Sequence, residues 1–167
     1  MNLGVVCEDE YEGFSEVCDE ITLKRSPKEF GMKKNMNKIV YFDMDGTLCD
    51  FYGVHNWIPR IQHNDASIYY EARPIEKNIA LLKEYKKAGY KVIILTCLSY
   101  NTNRKRDIKS RMYKRMWLDK YLNGYIDSIR IIPYTHHKEW FVNEAGTLVD
   151  DSDKVLDNWP WYKVKIK

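Results

Sequence analysis

The chain has 167 residues, a formal net charge of +3 and four cysteines. This length suits one domain with a sizeable core and is too short for two large ones. The cysteines show neither the pairing of a disulfide framework nor the spacing of a zinc site, and the longest aliphatic run, Val92 to Leu95, cannot cross a bilayer. With an acidic start in place of a basic leader, we expect a cytoplasmic protein with reduced thiols and no membrane contact.

The charge is unevenly distributed along the chain. Residues 1–30 hold eight acids and three bases, whereas residues 31–167 hold sixteen acids and twenty-four bases. Because residues 1–37 show neither helical nor strand periodicity, we predict an N-terminal extension there, in part disordered, before a single domain at 38–167. The basic body suits an anionic substrate or partner, although solvated surface lysines and arginines explain it equally well.

From Lys38 onward, β-rich runs alternate with helical patterns. This alternation predicts an α/β fold with a mostly parallel five-stranded sheet flanked by helices. The predicted strands cover residues 38–43, 90–96, 128–132, 147–150 and 162–166. Between them, long helices are predicted over residues 74–87 and 104–122, with shorter ones over 137–144 and 153–158.

Two apolar stripes are predicted to pack the long helices against the sheet. One recurs at spacings of three and four through Ile75, Ile79, Leu82 and Tyr85. The other recurs every four residues through Ile108, Met112 and Met116.

The last predicted strand alternates apolar and charged residues. Tyr162, Val164 and Ile166 would form a buried face, and the lysines between them a charged one. Because exposed lysines discourage pairing with another chain, this strand is predicted to form an edge of the sheet.

Polar side chains end three of the predicted strands. The first strand runs into YFDMDGTLCD, with Asp43 and Asp45; the second ends at Thr96 and the fourth at Asp150 and Asp151. Taken singly, these residues fit a turn, an ordinary strand position and a helix cap. Because the carboxyl ends of parallel strands meet at one edge of the sheet, we expect them to share a cleft. Crowded carboxylates there need a cation or a proton.

The same segments, in the same order, carry a family resemblance. DMDGT after an apolar strand, ILTC ending the next, a later lysine and LVDD ending another strand resemble the four motifs of the haloacid dehalogenase superfamily of phosphohydrolases. The likeness covers residues 38–160. It implies a Rossmann-like core with a cap insert, here small and at about residues 49–73, and a phosphatase that uses Mg²⁺ and an aspartyl-phosphate intermediate.

The resemblance implies a role for each motif residue. Asp43 would be the nucleophile, and Asp45 would be the general acid and base. Thr96, with the adjacent Cys97, and Lys138 would bind the substrate phosphate. The neighbouring His136 and His137 compete with this lysine for a phosphate contact.

The implied metal site consists of oxygen ligands. Asp43, the carbonyl oxygen of Asp45, Asp150 and Asp151 would hold Mg²⁺, which prefers hard oxygen ligands to nitrogen or sulfur. We expect the thiols of Cys49 and Cys97 to serve in packing, because an acidic loop disfavours a thiolate.

The order of the motifs looks most like the branch that holds the pyrimidine 5'-deoxyribonucleotidases and the phosphatase domain of polynucleotide kinases. The resemblance therefore implies a small phosphate ester as substrate, with a nucleoside monophosphate favoured. One alternative is a 3'-phosphatase of nucleic-acid ends, and another is a non-catalytic module that binds phosphate or nucleic acid. Residues 104–120 hold eight Lys or Arg, which would guide a nucleic acid or simply form a solvated helix face.

Overall fold

The computed structural model describes residues 38–100 and 103–166. The extension predicted at residues 1–37 lies outside the described residues. Within the described ranges, no helix has both the length and the apolar character needed to traverse a lipid bilayer.

The described residues form seven strands, and five of them make up the central sheet. In chain order they are β1 (Ile39–Phe42), β2 (Cys49–Asp50), β3 (Arg73–Pro74), β4 (Lys91–Cys97), β5 (Ser128–Ile132), β6 (Thr147–Asp150) and β7 (Lys163–Lys165). The central sheet has the order β5-β4-β1-β6-β7, and all of its neighbours are parallel. The predicted five-stranded α/β fold is therefore confirmed.

The same described residues form five α-helices. They are α1 (Trp57–Gln62), α2 (Ile68–Glu71), α3 (Glu76–Lys87), α4 (Arg104–Leu122) and α5 (Asp153–Asn158). The helix predicted at 137–144 is only a short 3-10 helix, Lys138–Phe141. Helices α1 and α2 lie between β2 and β3, which pair antiparallel, so the insert after β1 is small and closed at its base.

Strand β1 occupies the centre of the sheet and is buried on both faces, as expected when helices cover both sides of a parallel sheet. Val40 and Phe42 pack in the cluster that contains Trp117 of α4. Tyr41 packs in the opposite cluster, where its ring meets Trp159 edge to face at 5.4 Å. A central, doubly covered strand gives the residue that follows it a fixed position.

Helix α3 packs as predicted, with Ile79 and Leu82 buried, but the stripe predicted for α4 is wrong. Ile108 is 61 % exposed, and Met112 and Met116 are also exposed. The buried residues of α4 are instead Arg106, Ser110, Lys114, Trp117, Leu118 and Leu122.

The physical reason is the large apolar residues in the second half of α4. Trp117 is fully buried and its indole nitrogen donates to the Ala72 carbonyl oxygen at 2.7 Å. Because burial of a tryptophan contributes more than burial of a methionine, Trp117 sets the rotation of the helix. That rotation turns Lys114, one turn earlier, toward the protein interior.

Strand β7 forms an edge of the sheet, as predicted, and exposes its lysines. Ile166 is buried, but the prediction that Tyr162 belongs to the buried face is wrong, because its side chain is 66 % exposed. Tyr162 precedes β7, and only its backbone joins the sheet, where its carbonyl oxygen accepts the Leu148 N–H at 2.8 Å.

Candidate active site

The sheet brings three aspartates together at the carboxyl ends of β1 and β6. Asp43 follows β1, and its N–H donates to the Val149 carbonyl oxygen at 3.0 Å, which ties it to β6. Asp150 ends β6 and is 1 % exposed, and Asp151 follows it. Asp43, Asp150 and Asp151 each place a carboxylate oxygen within 4.8 Å of the others. The convergence expected from parallel topology is therefore observed for these acids.

The loop after β1 bends sharply at Gly46, which adopts a φ of +82°. A Cβ atom there would lie 2.5 Å from an oxygen of Asp151 and 2.7 Å from the Tyr52 ring. The hydroxyl of Thr47 donates to Asp151 Oδ1 at 3.1 Å, and Asn78 Nδ2 donates to the Thr47 carbonyl oxygen at 2.7 Å. The glycine therefore lets the loop lie directly against Asp151.

Lys138 bridges two of the aspartates. Its ammonium group donates to Asp43 Oδ1 at 2.5 Å and to Asp150 Oδ2 at 2.8 Å, and its side chain is almost fully buried. Although burial lowers the pKa of a lysine, the two carboxylates hold the pKa of Lys138 above its ordinary value. Lys138 is thus a permanent cation at the acidic cluster.

The histidines beside Lys138 have other contacts. His137 Nδ1 lies 2.9 Å from Glu139 Oε1, and its ring stacks on Trp140 at 4.3 Å. His136 lies edge to face with Tyr134 at 5.4 Å. Of the three candidate bases, Lys138 is the one that the structure places against Asp43 and Asp150.

A second buried lysine, Lys114, contacts Asp45. Lys114 Nζ donates to Asp45 Oδ2 at 2.5 Å and to Thr96 Oγ1 at 2.9 Å. It also lies 4.5 Å from the centre of the Tyr69 ring, and the hydroxyl of Tyr69 bonds to Ser99. The other oxygen of Asp45, Oδ1, is buried and has no hydrogen-bond partner among the described residues.

Burial and crowding raise the pKa values of the acids in this site. Burial raises the pKa of Asp45, Lys114 opposes that shift, and Asp43 adds to it. Burial and Asp43 raise the pKa of Asp150 to about 6, against the opposing charge of Lys138. Burial and Asp43 likewise raise the pKa of Asp151. Such shifts are common where acids are grouped for catalysis or metal binding.

The three-aspartate cluster fits a hard divalent cation. Its donors are carboxylate oxygens, which Mg²⁺ prefers, and it contains no nitrogen or sulfur of the kind that zinc favours. The carboxylate oxygens lie within 4.8 Å of one another, so a single cation could be contacted by all three carboxylates. Asp43, Asp150 and Asp151 would thus hold the ion.

Thr96 and Cys97, predicted to bind phosphate, end β4 beside β1. Thr96 is fully buried, and its hydroxyl accepts from Lys114. The Cys97 thiol lies 3.6 Å from the Thr135 carbonyl oxygen, and burial raises its pKa. Burial also raises the pKa of Cys49. Raised pKa values disfavour the thiolate at both cysteines; their packing role, and the phosphate contact predicted for Cys97, stay predictions.

Sequence reasoning missed Lys114. It belongs to the basic segment 104–120, where its charge resembles that of the solvated lysines around it. The available signal was its position three residues before Trp117. A helix that buries that tryptophan also turns Lys114 inward.

No family model and no curated protein match this chain. A chain of the Pnkp1/Rnl/Hen1 complex matches 80 % of this chain and 47 % of its own length, with 22 % identity and a TM-score of 0.60. A chain of the Pnkp1/Rnl/Hen1 RNA repair complex matches 81 % of this chain and 44 % of its own length, with the same identity and TM-score. A dehalogenase matches 81 % of this chain and 86 % of its own length, with 15 % identity and a TM-score of 0.49. This chain spans less than half the length of the first two, and it shares their fold.

Proposed function

We propose that the protein is a Mg²⁺-dependent phosphomonoesterase of haloacid dehalogenase type, with Asp43 as nucleophile. The observation that carries this proposal is the pair of separate lysine contacts in the site. Lys138 spans Asp43 and Asp150, whereas Lys114 holds Asp45 at Thr96. A module that only bound phosphate would need cations, but it would not need a nucleophile and a separately held acid.

In the first step, a carboxylate oxygen of Asp43 attacks the phosphorus atom of the monoester. A bond forms between phosphorus and this oxygen, and the bond between phosphorus and the leaving alcohol oxygen breaks. Asp45 donates a proton to that oxygen, so the alcohol leaves neutral and Asp43 carries the phosphoryl group.

In the second step, a water molecule attacks the phosphorus atom of the aspartyl-phosphate. Asp45, now ionised, accepts a proton from this water, and the bond between phosphorus and the Asp43 oxygen breaks. Inorganic phosphate leaves, and both aspartates return to their starting states. Lys138 offsets the negative charge of the phosphoryl group in both steps.

Lys114 positions Asp45 for both proton transfers. It binds Oδ2 and leaves the buried Oδ1 without a hydrogen-bond partner among the described residues, so Oδ1 is the oxygen that would exchange a proton once alcohol or water reaches this position. A hydrogen bond to one oxygen restricts the rotation of the carboxylate. Less rotational freedom therefore remains to be lost when the transition state forms.

Mg²⁺, when bound by Asp43, Asp150 and Asp151, supplies positive charge that offsets the phosphoryl oxygens and the crowded carboxylates. The acids fit such an ion by donor type and spacing. We place the activity in one domain at residues 38–167, in a reducing cytoplasm.

A nucleoside monophosphate is the first candidate substrate, as the sequence resemblance implies. The second candidate is the 3'-phosphate end of a nucleic acid. Two observations favour this second candidate. The insert between β2 and β3 holds two short helices, and a small insert would cover less of the site than a large cap would. In addition, a structure that shares this fold is an RNA repair complex.

Hydrolysis of p-nitrophenyl phosphate tests the proposed function. We expect turnover that requires added Mg²⁺ and that disappears in Asp43→Asn. Asp119→Asn, a change on the exposed face of α4, should retain the wild-type rate. Turnover that persists in Asp43→Asn would contradict the assignment of the nucleophile, and absence of turnover on any phosphate ester would contradict the enzyme itself.

A further inference from the structure

Three aromatic rings lie together on the surface beyond the carboxyl ends of β4 and β5. Tyr100 is 67 % exposed and Tyr134 is 49 % exposed, and their rings meet at 5.4 Å. The ring of His136 lies 5.4 Å from that of Tyr134. We refer to Tyr100, Tyr134 and His136 as the aromatic surface. None of these residues has a role in the proposed reaction.

The aromatic surface adjoins the catalytic residues along two separate strands. Tyr100 follows Thr96 by four residues, and Tyr134 precedes Lys138 by four residues. Four residues reach at most about 14 Å, which limits the distance between each ring's backbone and the phosphate site. The rings therefore lie within the reach of a substrate that extends beyond its terminal phosphate.

Hydrogen bonds fix the loop that carries two of the three rings. The His137 N–H donates to the Thr135 hydroxyl at 2.9 Å, and Asn158 Nδ2 donates to the His136 carbonyl oxygen at 3.2 Å. Rings on an anchored loop lose little freedom when a ligand stacks on them, which favours binding.

The charge next to the aromatic surface suits a polyanion. Helix α4 begins four residues after Tyr100, and its exposed positions include Lys105 and Lys109. Among the first eight residues of α4 the exposed bases are Arg104, Lys105 and Lys109, whereas Arg106 is buried and Arg111 donates to the Ile131 carbonyl oxygen. Aromatic rings beside basic side chains are the combination that binds single-stranded nucleic acid: bases stack on the rings, and the cations meet the backbone phosphates.

We propose that the aromatic surface stacks unpaired bases of a single-stranded nucleic acid whose terminal phosphate monoester lies at Asp43. This proposal rests on the proposed function and narrows its substrate from phosphate monoesters in general to phosphorylated strand ends. Stacking on an aromatic ring tolerates every base, so the surface selects for strand length and not for sequence.

The test compares three substrates with wild-type protein and the double variant Tyr100→Ala/Tyr134→Ala. The three substrates are a short oligothymidylate with a terminal phosphate, the matching thymidine monophosphate, and p-nitrophenyl phosphate. The oligothymidylate is prepared in two forms, with the phosphate on the 3' or on the 5' end. We expect the double variant to lose about 5- to 150-fold in kcat/KM on the oligonucleotide, the range for one stacked base. Its kcat/KM on the two small substrates should not change.

Tyr162→Ala is the matched control, because it removes a ring of similar exposure that lies before β7, away from these loops. Its kcat/KM should equal that of wild-type protein on all three substrates. An equal loss on all three substrates in the double variant, or no loss on the oligonucleotide, would overturn the proposal. So would a loss of the same size on thymidine monophosphate, because the surface would then hold a single nucleotide.

A binding measurement tests the aromatic surface independently of the proposed function. Fluorescence anisotropy of a labelled oligothymidylate without a terminal phosphate needs no catalysis. Weaker binding by the double variant than by wild-type protein and Tyr162→Ala would support the surface, even if no ester were hydrolysed. Equal binding by all three proteins would overturn it, even if p-nitrophenyl phosphate were hydrolysed as expected.

Discussion

Lys114 and Asp45 form an ion pair of 2.5 Å across 69 positions of the chain, and the lysine side chain is fully buried. A buried ammonium group needs close partners, and Lys114 has Asp45, Thr96 and the Tyr69 ring. This relationship links the central helix α4 to the acid of the proposed reaction. It also gives the carboxylate that would carry protons a cation of its own, whereas Lys138 contacts two of those that would hold the metal.

The variant Lys114→Met should impair the hydrolysis of esters with poor leaving groups most strongly. An alkoxide leaving group needs a proton from Asp45, and such proton transfer contributes about 10²- to 10⁴-fold to rate. p-Nitrophenolate leaves without a proton, so its release should suffer much less. The measurement is kcat/KM for an alkyl phosphate and for p-nitrophenyl phosphate, with the free energy of unfolding determined alongside.

Lys120→Met is the control for this variant, because it removes an exposed lysine from the same helix. Its kcat/KM should match that of wild-type protein on both substrates. If Lys114→Met lowered kcat/KM for both substrates by the same factor, Lys114 would serve the phosphate site or the fold and would not position Asp45.

Gly46→Ala should reduce both stability and activity. A residue with a side chain at φ +82° costs about 1–2 kcal/mol, and here its Cβ atom would also meet Asp151 at 2.5 Å. Gly89→Ala has nearly the same φ, +80°, with no atom within 4 Å of the added Cβ. We expect both variants to lose free energy of unfolding, and only Gly46→Ala to lose turnover. Equal turnover in the two variants would show that the contact with Asp151 is not needed for catalysis.

Much of this site could be predicted because its residues follow strands. Asp43, Thr96 and Asp150 sit at strand ends, and the alternation of strands and helices indicates that those ends meet. Lys114 could not be predicted in the same way. Its burial depends on a carboxylate 69 positions away, and a local charge pattern contains no information about such a partner.

The wrong prediction of the buried face of α4 has a different origin, which lies within the helix itself. Ile108, Met112 and Met116 recur every four residues and form a valid helical stripe, yet they are exposed. The competing face contains polar residues that lower its apparent hydrophobicity, although it includes Trp117. Periodicity assigns a face by average polarity, whereas packing assigns it by the largest side chain that the core can hold.

Mg²⁺ should raise the thermal stability of the wild-type protein. An ion that binds only the folded state adds about 2.7 kcal/mol when its concentration is 100 times Kd. Asp150→Asn removes a carboxylate from the three-aspartate cluster and should abolish most of this increase. Asp153→Asn changes a largely exposed acid outside the cluster and should retain it. If Mg²⁺ raised the thermal stability of all three proteins equally, the ion would bind outside the three-aspartate cluster.

Asp127 should make stability depend on pH. The hydrogen bond from Lys86, at 2.6 Å, holds the pKa of Asp127 below its ordinary value, although partial burial opposes this. The folded pKa lies below the unfolded one, so this stabilisation is present above about pH 4 and is lost as the pH falls through the folded pKa.

The measurement is urea unfolding of wild-type protein and Asp127→Asn at pH 7 and at several pH values below 5. The variant should be less stable at pH 7, by less than about 1 kcal/mol because the pair is partly exposed. The difference should shrink as the solution becomes more acidic. A difference that grew with acidity would mean that the folded pKa is raised.

The central claim is that Asp43 becomes phosphorylated during turnover. The most direct measurement is mass spectrometry of peptides from wild-type protein that has been mixed with substrate and Mg²⁺ and quenched in acid within one turnover. We predict a phosphoryl group on Asp43, and none in Asp43→Asn. Rapid hydrolysis with no phosphoryl group on Asp43, or with one on another residue, would contradict the account.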